Sequence, residues 1–282
     1  MPGLSANIAE VMDTLIKEVF KENEPGAAVL VAKDGKLVFR KSYGMANLEL
    51  GVAIEPNMVF RLGSITKQFT AVAILMLYEQ GKLDLDDDIT RYLPEYPTHA
   101  HRITIYQLLN HTSGIKSYTN MPEWMQVMRK DLTVDELIDI FKNQPMEFAP
   151  GEKWNYNNSA YILLGAIIEK VSGMTYAAFL QENIFGPLGM THSYYDMPGP
   201  IIPGRVSGYK VTADGFKNAD YLSMTQPYAG GSLASNVDDM LLWDEALYGE
   251  KLLKQETLQK AWTGGKLNNG DTLRYGFGWT VT

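Results

Sequence analysis

The sequence contains no cysteine. That excludes disulfides, thiolate catalysis and cysteine-ligated metals together, although it does not decide the compartment. Histidine is scarce, with four in 282 residues: His99, His101, His111 and His192. Neither an H-E-x-x-H motif nor a third ligand accompanies the His99-Ala-His101 pair, so no metal site is expected. The G-x-S-x-G elbow that would mark a histidine-assisted serine nucleophile is also missing. The longest apolar run, Ala71 to Leu77, is far too short to cross a bilayer. Lysine and arginine form no cluster, and the formal net charge of -8 argues against a nucleic-acid footprint. No export signal opens the chain. Ile8, Val11, Met12, Leu15, Ile16, Val19 and Phe20 follow helical spacing, but acidic residues interrupt them, as in an amphipathic helix and not a signal sequence. A cytoplasmic protein is the plain expectation; an exported protein with its signal removed would read the same.

What is present is an ordinary globular composition, 45% hydrophobic, with enough chain to bury a large core. Asp34-Gly35 between two apolar runs signals a hairpin. A helix is expected from Ser64 to Gly81, and Thr104 should cap a short one. Thr133 with Glu136 forms a capping box, and an apolar helix should run from Asn158 to Val171, closed by Gly173. Ser235 or Asn236 caps a further helix, and Leu273 to Thr282 reads as a terminal strand. Strands, then helices, then strands predict an α/β (α+β) protein. Its sheet region is expected from residues 1–78 and 236–282, and a mostly helical region from 79–235, with the active site at their interface.

Three serines have a lysine three residues later: Ser64, Ser113 and Ser207. About one such match is expected by chance, so context must separate them. The amine reaches the hydroxyl at this spacing only on a helix. Ser113 and Ser207 lie in turn or loop sequence, whereas Ser64 opens S-I-T-K-Q-F-T-A-V-A-I-L-M-L-Y-E, apolar on nearly every face. A nucleophile there would sit at the positive end of the helix dipole, with Lys67 one turn on.

A serine hydroxyl is a weak nucleophile until a base takes its proton. Tyr156 and Asn158, in W-N-Y-N-N-S-A-Y just ahead of an apolar helix, are the other polar groups suited to the task. A nearby ammonium would lower the Tyr156 phenol toward a phenolate base; equally, burial could neutralise Lys67, which would then act itself. Both assignments stay open. The Asn158 amide could bond the lysine or a substrate carbonyl.

Five segments in order resemble the class C β-lactamase and penicillin-binding-protein-like serine hydrolases, a superfamily that includes D-alanyl-D-alanine peptidases and family VIII esterases. They are F-R-L-G-S-I-T-K-Q-F-T-A, L-L-N-H-T-S-G-I at Leu108 to Ile115, F-A-P-G-E-K-W-N-Y-N-N-S-A-Y-I-L-L-G, I-F-G-P-L-G-M-T, and Y-A-G-G-S-L-A-S-N-V-D-D-M. The resemblance implies a β-lactamase/transpeptidase-like antiparallel sheet flanked by helices. It implies that Ser64 is acylated, that Lys67 and Tyr156 shuttle its proton, that Asn158 orients substrate and lysine, and that the Ser64 N–H is half of an oxyanion hole. No cofactor is implied, and the partner is a small ester, amide or D-amino-acyl peptide.

One departure stands beside it. The family carries a third box, Lys-Thr-Gly or His-x-Gly, after the segment resembling Tyr275-Gly-Phe-Gly-Trp279, and this sequence stops at Thr282. The letters Thr263-Gly264-Gly265-Lys266 come before that segment and read as a loop. With the last strands and helix outside the sequence, an exposed sheet edge is expected. Three readings stay open: a shortened gene product, which we favour; a homo-oligomer or swapped chain that completes the sheet; or a non-catalytic binding or assembly protein on the same scaffold.

Overall fold

The computed structural model describes residues 2–282, with side chains from Ile8 onward. Four helices have eleven residues or more: α1 (Pro2–Val19), α2 (Thr66–Glu79), α3 (Asn158–Ser172) and α4 (Val237–Leu247). Antiparallel strands flank them, so the fold is α/β, as the order of elements predicts. Asp34 and Gly35 both take positive φ, 52° and 68°, and close the hairpin of Ala27–Lys33 with Lys36–Tyr43. That backbone suits the right-handed twist of the flanking strands. A three-stranded sheet places Leu233–Ser235 between Phe60–Arg61 and Tyr194–Tyr195.

Helix α2 is buried along ten of its fourteen residues, because its sequence is apolar on all faces. Each fully buried Leu, Ile or Phe contributes about 1.5–3 kcal/mol. Phe69 stacks on Trp243 of α4 at 3.9 Å between ring centroids, and Trp243 Nε1 donates to Gln68. On its other side α2 packs against α3. Helix α3 begins where the Asn157 side chain accepts the Ala160 N–H, and ends at Gly173 with φ 73°. The capping boxes at Thr104 and Thr133 form as their spacing predicts.

Gly165, in the middle of α3, decides how closely the next layer approaches. A Cβ at this position would lie 2.4 Å from the Tyr228 ring and 2.6 Å from the Ala229 Cβ. The short helix Tyr228–Gly231 therefore settles directly on α3. Thr70 of α2 holds the same turn by donating to the Ala229 carbonyl at 2.6 Å.

One expectation is corrected. Leu273 to Thr282 forms no strand, only isolated bridges at Thr272 and between Tyr275 and Thr280. Gly278 turns the backbone at φ 85°, and Gly276 donates to the Trp279 carbonyl, so the segment folds back on itself. Helix α1 forms as its spacing predicts, with its apolar stripe partly open: Met12 and Ile16 are half-buried. Ile8, Val11, Leu15 and Val19 are 48–69% exposed, and the helix is held by Asp13, which accepts from Lys41 and the Tyr43 hydroxyl, each at 2.7 Å. No single helix among the described residues is long and apolar enough to cross a membrane.

The close approach at Gly165 is testable. Gly165→Ala places a methyl inside the Tyr228–Ala229 contact, and the overpacking is expected to cost about 1–3 kcal/mol. Urea unfolding should show the midpoint fall; an unchanged midpoint would mean that the turn is free to move away.

Candidate active site

Gly63, with φ 54°, starts a single 3-10 turn, Gly63–Ile65, that joins the sheet to α2. A positive φ is cheap only for glycine. The junction is stitched from both sides: Leu62 N–H donates to the Leu233 carbonyl at 2.8 Å, and Leu233 N–H donates to Thr66 Oγ1 at 3.1 Å. Ser64 sits exposed on this turn, and Lys67 lies one turn on with its side chain 1% exposed.

The lysine amine has three oxygen neighbours. Nζ lies 2.8 Å from the Gly230 carbonyl, 2.9 Å from Asn158 Oδ1 and 3.3 Å from Ser64 Oγ. No carboxylate is among these contacts, and burial lowers the Lys67 pKa to about 7. Two of the three oxygens are carbonyl oxygens, which can only accept. A neutral amine has two N–H bonds and one lone pair. In that neutral form, with both N–H bonds given to Gly230 and Asn158, the lone pair would be left for the Ser64 hydroxyl, whereas the ammonium would donate to it.

The Asn158 amide has a fixed orientation. Its Nδ2 donates to Thr119 Oγ1 at 3.0 Å, and its backbone N–H donates to Ser117 Oγ. Oδ1 is thereby turned to the lysine. Tyr156 completes the cluster. Lys67 Nζ is 4.9 Å from its ring centroid. Burial raises the Tyr156 phenol, while hydrogen bonding to Ser64 pulls the other way. Burial thus moves Lys67 toward the neutral amine and Tyr156 toward the neutral phenol. All four residues singled out, Ser64, Lys67, Tyr156 and Asn158, come together here.

The other Ser-x-x-Lys matches do not assemble. Lys116 pairs with Glu147 and Lys210 with Asp220, each at 2.8 Å. Ser113 is buried, and Ser207 accepts from Asn47 Nδ2 at 2.9 Å. His99 and His101 lie exposed in a turn. Among the described residues no group of three His, Asp or Glu side chains could hold a metal.

His111, by default a surface or satisfied core histidine, is a buried and satisfied one, and its partners give it a place at the site that its letters do not mark. With φ 64°, its carbonyl accepts the Asn155 N–H at 3.0 Å while Nδ1 accepts the Asn157 N–H at 3.1 Å. The two residues flanking Tyr156 are thus gripped by one histidine, whose ring is 4.5 Å from the Tyr156 ring. Because Nδ1 accepts, Nε2 carries the proton and donates to the Tyr275 hydroxyl at 3.2 Å. Burial, with the charge of Lys67, pushes the His111 pKa well below its ordinary value. Thr119 is unmarked too; a threonine behind an amide leaves no spacing signal. The position of His111 inside the Leu108–Ile115 segment was the one available clue.

A cleft of about 260 Å³ opens at Ser64, lined also by Arg61, Thr119, Trp124, Asn158 and Met224. The sequence profile described as Beta-lactamase matches residues 4–282. The chain belongs to the beta-lactamase family. Like its neighbours in the family, it has the architecture of the β-lactamase-like and penicillin-binding-protein-like serine hydrolases. This beta-lactamase-family chain is 31% identical to penicillin-binding protein 4* of Bacillus subtilis over 99% of its own length, and spans 64% of that relative. Similar solved structures include two of bacterial and archaeal origin. An octameric penicillin-binding protein homologue from Pyrococcus abyssi has 30% identity and a TM-score of 0.78 over 97% of this chain and 64% of its own. A D-stereospecific amidohydrolase from Streptomyces has 28% identity and a TM-score of 0.72 over 91% and 78%.

The grip of His111 gives a pH signature. Its pKa is depressed on folding, so below the ordinary value of 6.5 the unfolded chain binds a proton that the native chain refuses. Its contribution to stability is therefore full above that pH and lost as pH falls further. Between pH 7.5 and 5.5 the loss should be on the order of 1 kcal/mol. Urea midpoints at the two pH values should differ less for His111→Phe than for the wild type; equal differences would show that His111 takes a proton in the fold.

Proposed function

We propose that the protein is a serine hydrolase that forms an acyl-enzyme on Ser64 and acts on small esters, amides or D-amino-acyl peptides. The observation that carries this reading is the lysine amine held by two carbonyl oxygens, with the Ser64 hydroxyl as its remaining polar neighbour.

In the proposed reaction, neutral Lys67 takes the Ser64 proton as Oγ attacks the acyl carbonyl. The oxyanion of the tetrahedral intermediate receives the backbone N–H of Ser64, at the positive end of α2. The proton passes from the Lys67 ammonium through the Tyr156 hydroxyl to the leaving group, which departs with it. The acyl group remains on Oγ. Water then repeats the sequence in reverse, giving its proton to the same relay and releasing the acid. Tyr156 stays a neutral phenol between transfers, in keeping with its raised pKa. Similarity to a D-stereospecific amidohydrolase and to penicillin-binding proteins supports D-amino-acyl substrates within the wider ester and amide class.

Two measurements test the reading. Intact-mass spectrometry after treatment with a fluorophosphonate or a penicillin should show one adduct, on Ser64, which Ser64→Ala abolishes. A folded wild-type sample with no adduct would favour the binding or assembly protein. The second is the pH profile of ester hydrolysis. A base that must be neutral makes kcat/KM rise with pH through an apparent pKa of about 7 and level off above it. Lys67→Arg, which stays charged, should lower kcat by about 10²–10⁴; a flat profile, or an active Lys67→Arg, would remove the lysine from the base role.

A further inference from the structure

Arg61 is not used by the chemistry above, yet it lines the same cleft as Ser64 and is the one charged side chain among the residues that do. It ends the strand Phe60–Arg61, three residues ahead of the nucleophile. Its Nε donates to Asp196 Oδ2 at 2.6 Å, and Arg205 Nη1 donates to the other oxygen of the same carboxylate. Asp196 is completely buried, whereas the Arg61 side chain is 49% exposed. Among the described residues neither Nη group of Arg61 has a hydrogen-bond partner. One buried carboxylate between two guanidiniums leaves a net positive charge. Asp196 fixes the guanidinium through Nε and leaves both Nη groups without a partner on a residue that lines the cleft. An anchored fork of this kind suits a carboxylate, which takes two parallel N–H bonds. A protein of formal net charge -8 thus presents a cation beside its nucleophile.

The cleft also has a direction. Ser64, Thr119 and Asn158 line it and Tyr156 does not. Since the leaving group departs toward the Tyr156 hydroxyl, the cleft receives the part of the substrate that stays on Ser64. We propose that Arg61 is a specificity residue for acyl groups bearing a carboxylate, such as the monoacyl esters of short dicarboxylic acids. The assignment to the acyl side rests on the proposed Ser64 acyl-enzyme and its Tyr156 relay; the carboxylate subsite at Arg61 does not.

The test compares two aryl esters, the glutarate monoester with its free carboxylate and the same ester capped as the methyl ester. The wild type should hydrolyse the free acid with a kcat/KM at least about tenfold above the capped ester, as expected for a charge-assisted hydrogen bond. Added sodium chloride should shrink that ratio. Arg61→Gln should lower the ratio about tenfold or more, and Arg61→Lys, which keeps charge without the fork, should fall between. Asp196 keeps Arg205 in both variants, and thermal melting checks that they fold. A wild type without preference overturns the proposal, with no variant needed. So does a ratio that Arg61→Gln leaves unchanged while both rates fall, the mark of a structural role. If neither ester is hydrolysed, the acyl-enzyme reading fails, and calorimetric titration with monomethyl glutarate decides the subsite. Binding by the wild type that Arg61→Gln abolishes upholds it; absence of binding refutes it.

Discussion

A primary amine taken out of water and given two carbonyl oxygens is the constraint around which the molecule is arranged. Lys67 has no acid partner among its contacts, so desolvation is uncompensated and its charged form is disfavoured. The two carbonyls decide which way the amine points. One is a main-chain group on the Tyr228–Gly231 turn, and the other is the amide of Asn158 at the start of α3. Neither could be in place without the packing behind it. Gly165 lets the turn rest on α3, Thr70 ties it to α2, and Thr119 sets the face of the amide. The reactive geometry is thus a property of how two buried helices and one turn meet.

The phenol is controlled differently. Tyr156 lies on a loop, and loop residues are held only by what their backbone amides find. His111 supplies both acceptors, carbonyl and ring nitrogen, from a single left-handed residue. A backbone strain of order 1–3 kcal/mol at a non-glycine residue persists only where its surroundings enforce it. Here the neutral imidazole locks the loop that carries Tyr156.

Much of this was readable in advance. Caps and turns are local chemistry, so Asp34-Gly35, Thr104, Thr133 with Glu136, and Gly173 announced their elements. The apolar run after Ser64 announced a buried helix, and with it which of three Ser-x-x-Lys matches places an amine beside a hydroxyl. Contacts made across long sequence separations could not be read in the same way. Nothing in the letters says that Gly230 offers its carbonyl to Lys67, or that His111 reaches two amides more than forty residues away. The terminal segment failed for a related reason. Leu273 to Thr282 has strand-like composition, but a strand exists only against a neighbour, and its glycines bend it onto itself. The stripe on α1 was legible as a pattern, whereas how much of it is covered is a tertiary matter.

The aromatic packing around the lysine bears on alkaline tolerance. Tyr118, Tyr161 and Tyr176 are buried phenols and Tyr195 and Tyr275 half-buried ones, and the pKa values of all five rise above the ordinary 10. Above that pH the unfolded chain releases phenolic protons that the native chain keeps, so each of them draws the folded state down. Lys67 acts in the opposite sense between about pH 7 and its ordinary value of 10.5, where the native chain has already shed a proton that the unfolded chain retains. As the medium turns basic, one buried amine first firms the fold, and the phenols packed near it then set the limit at which it dissolves.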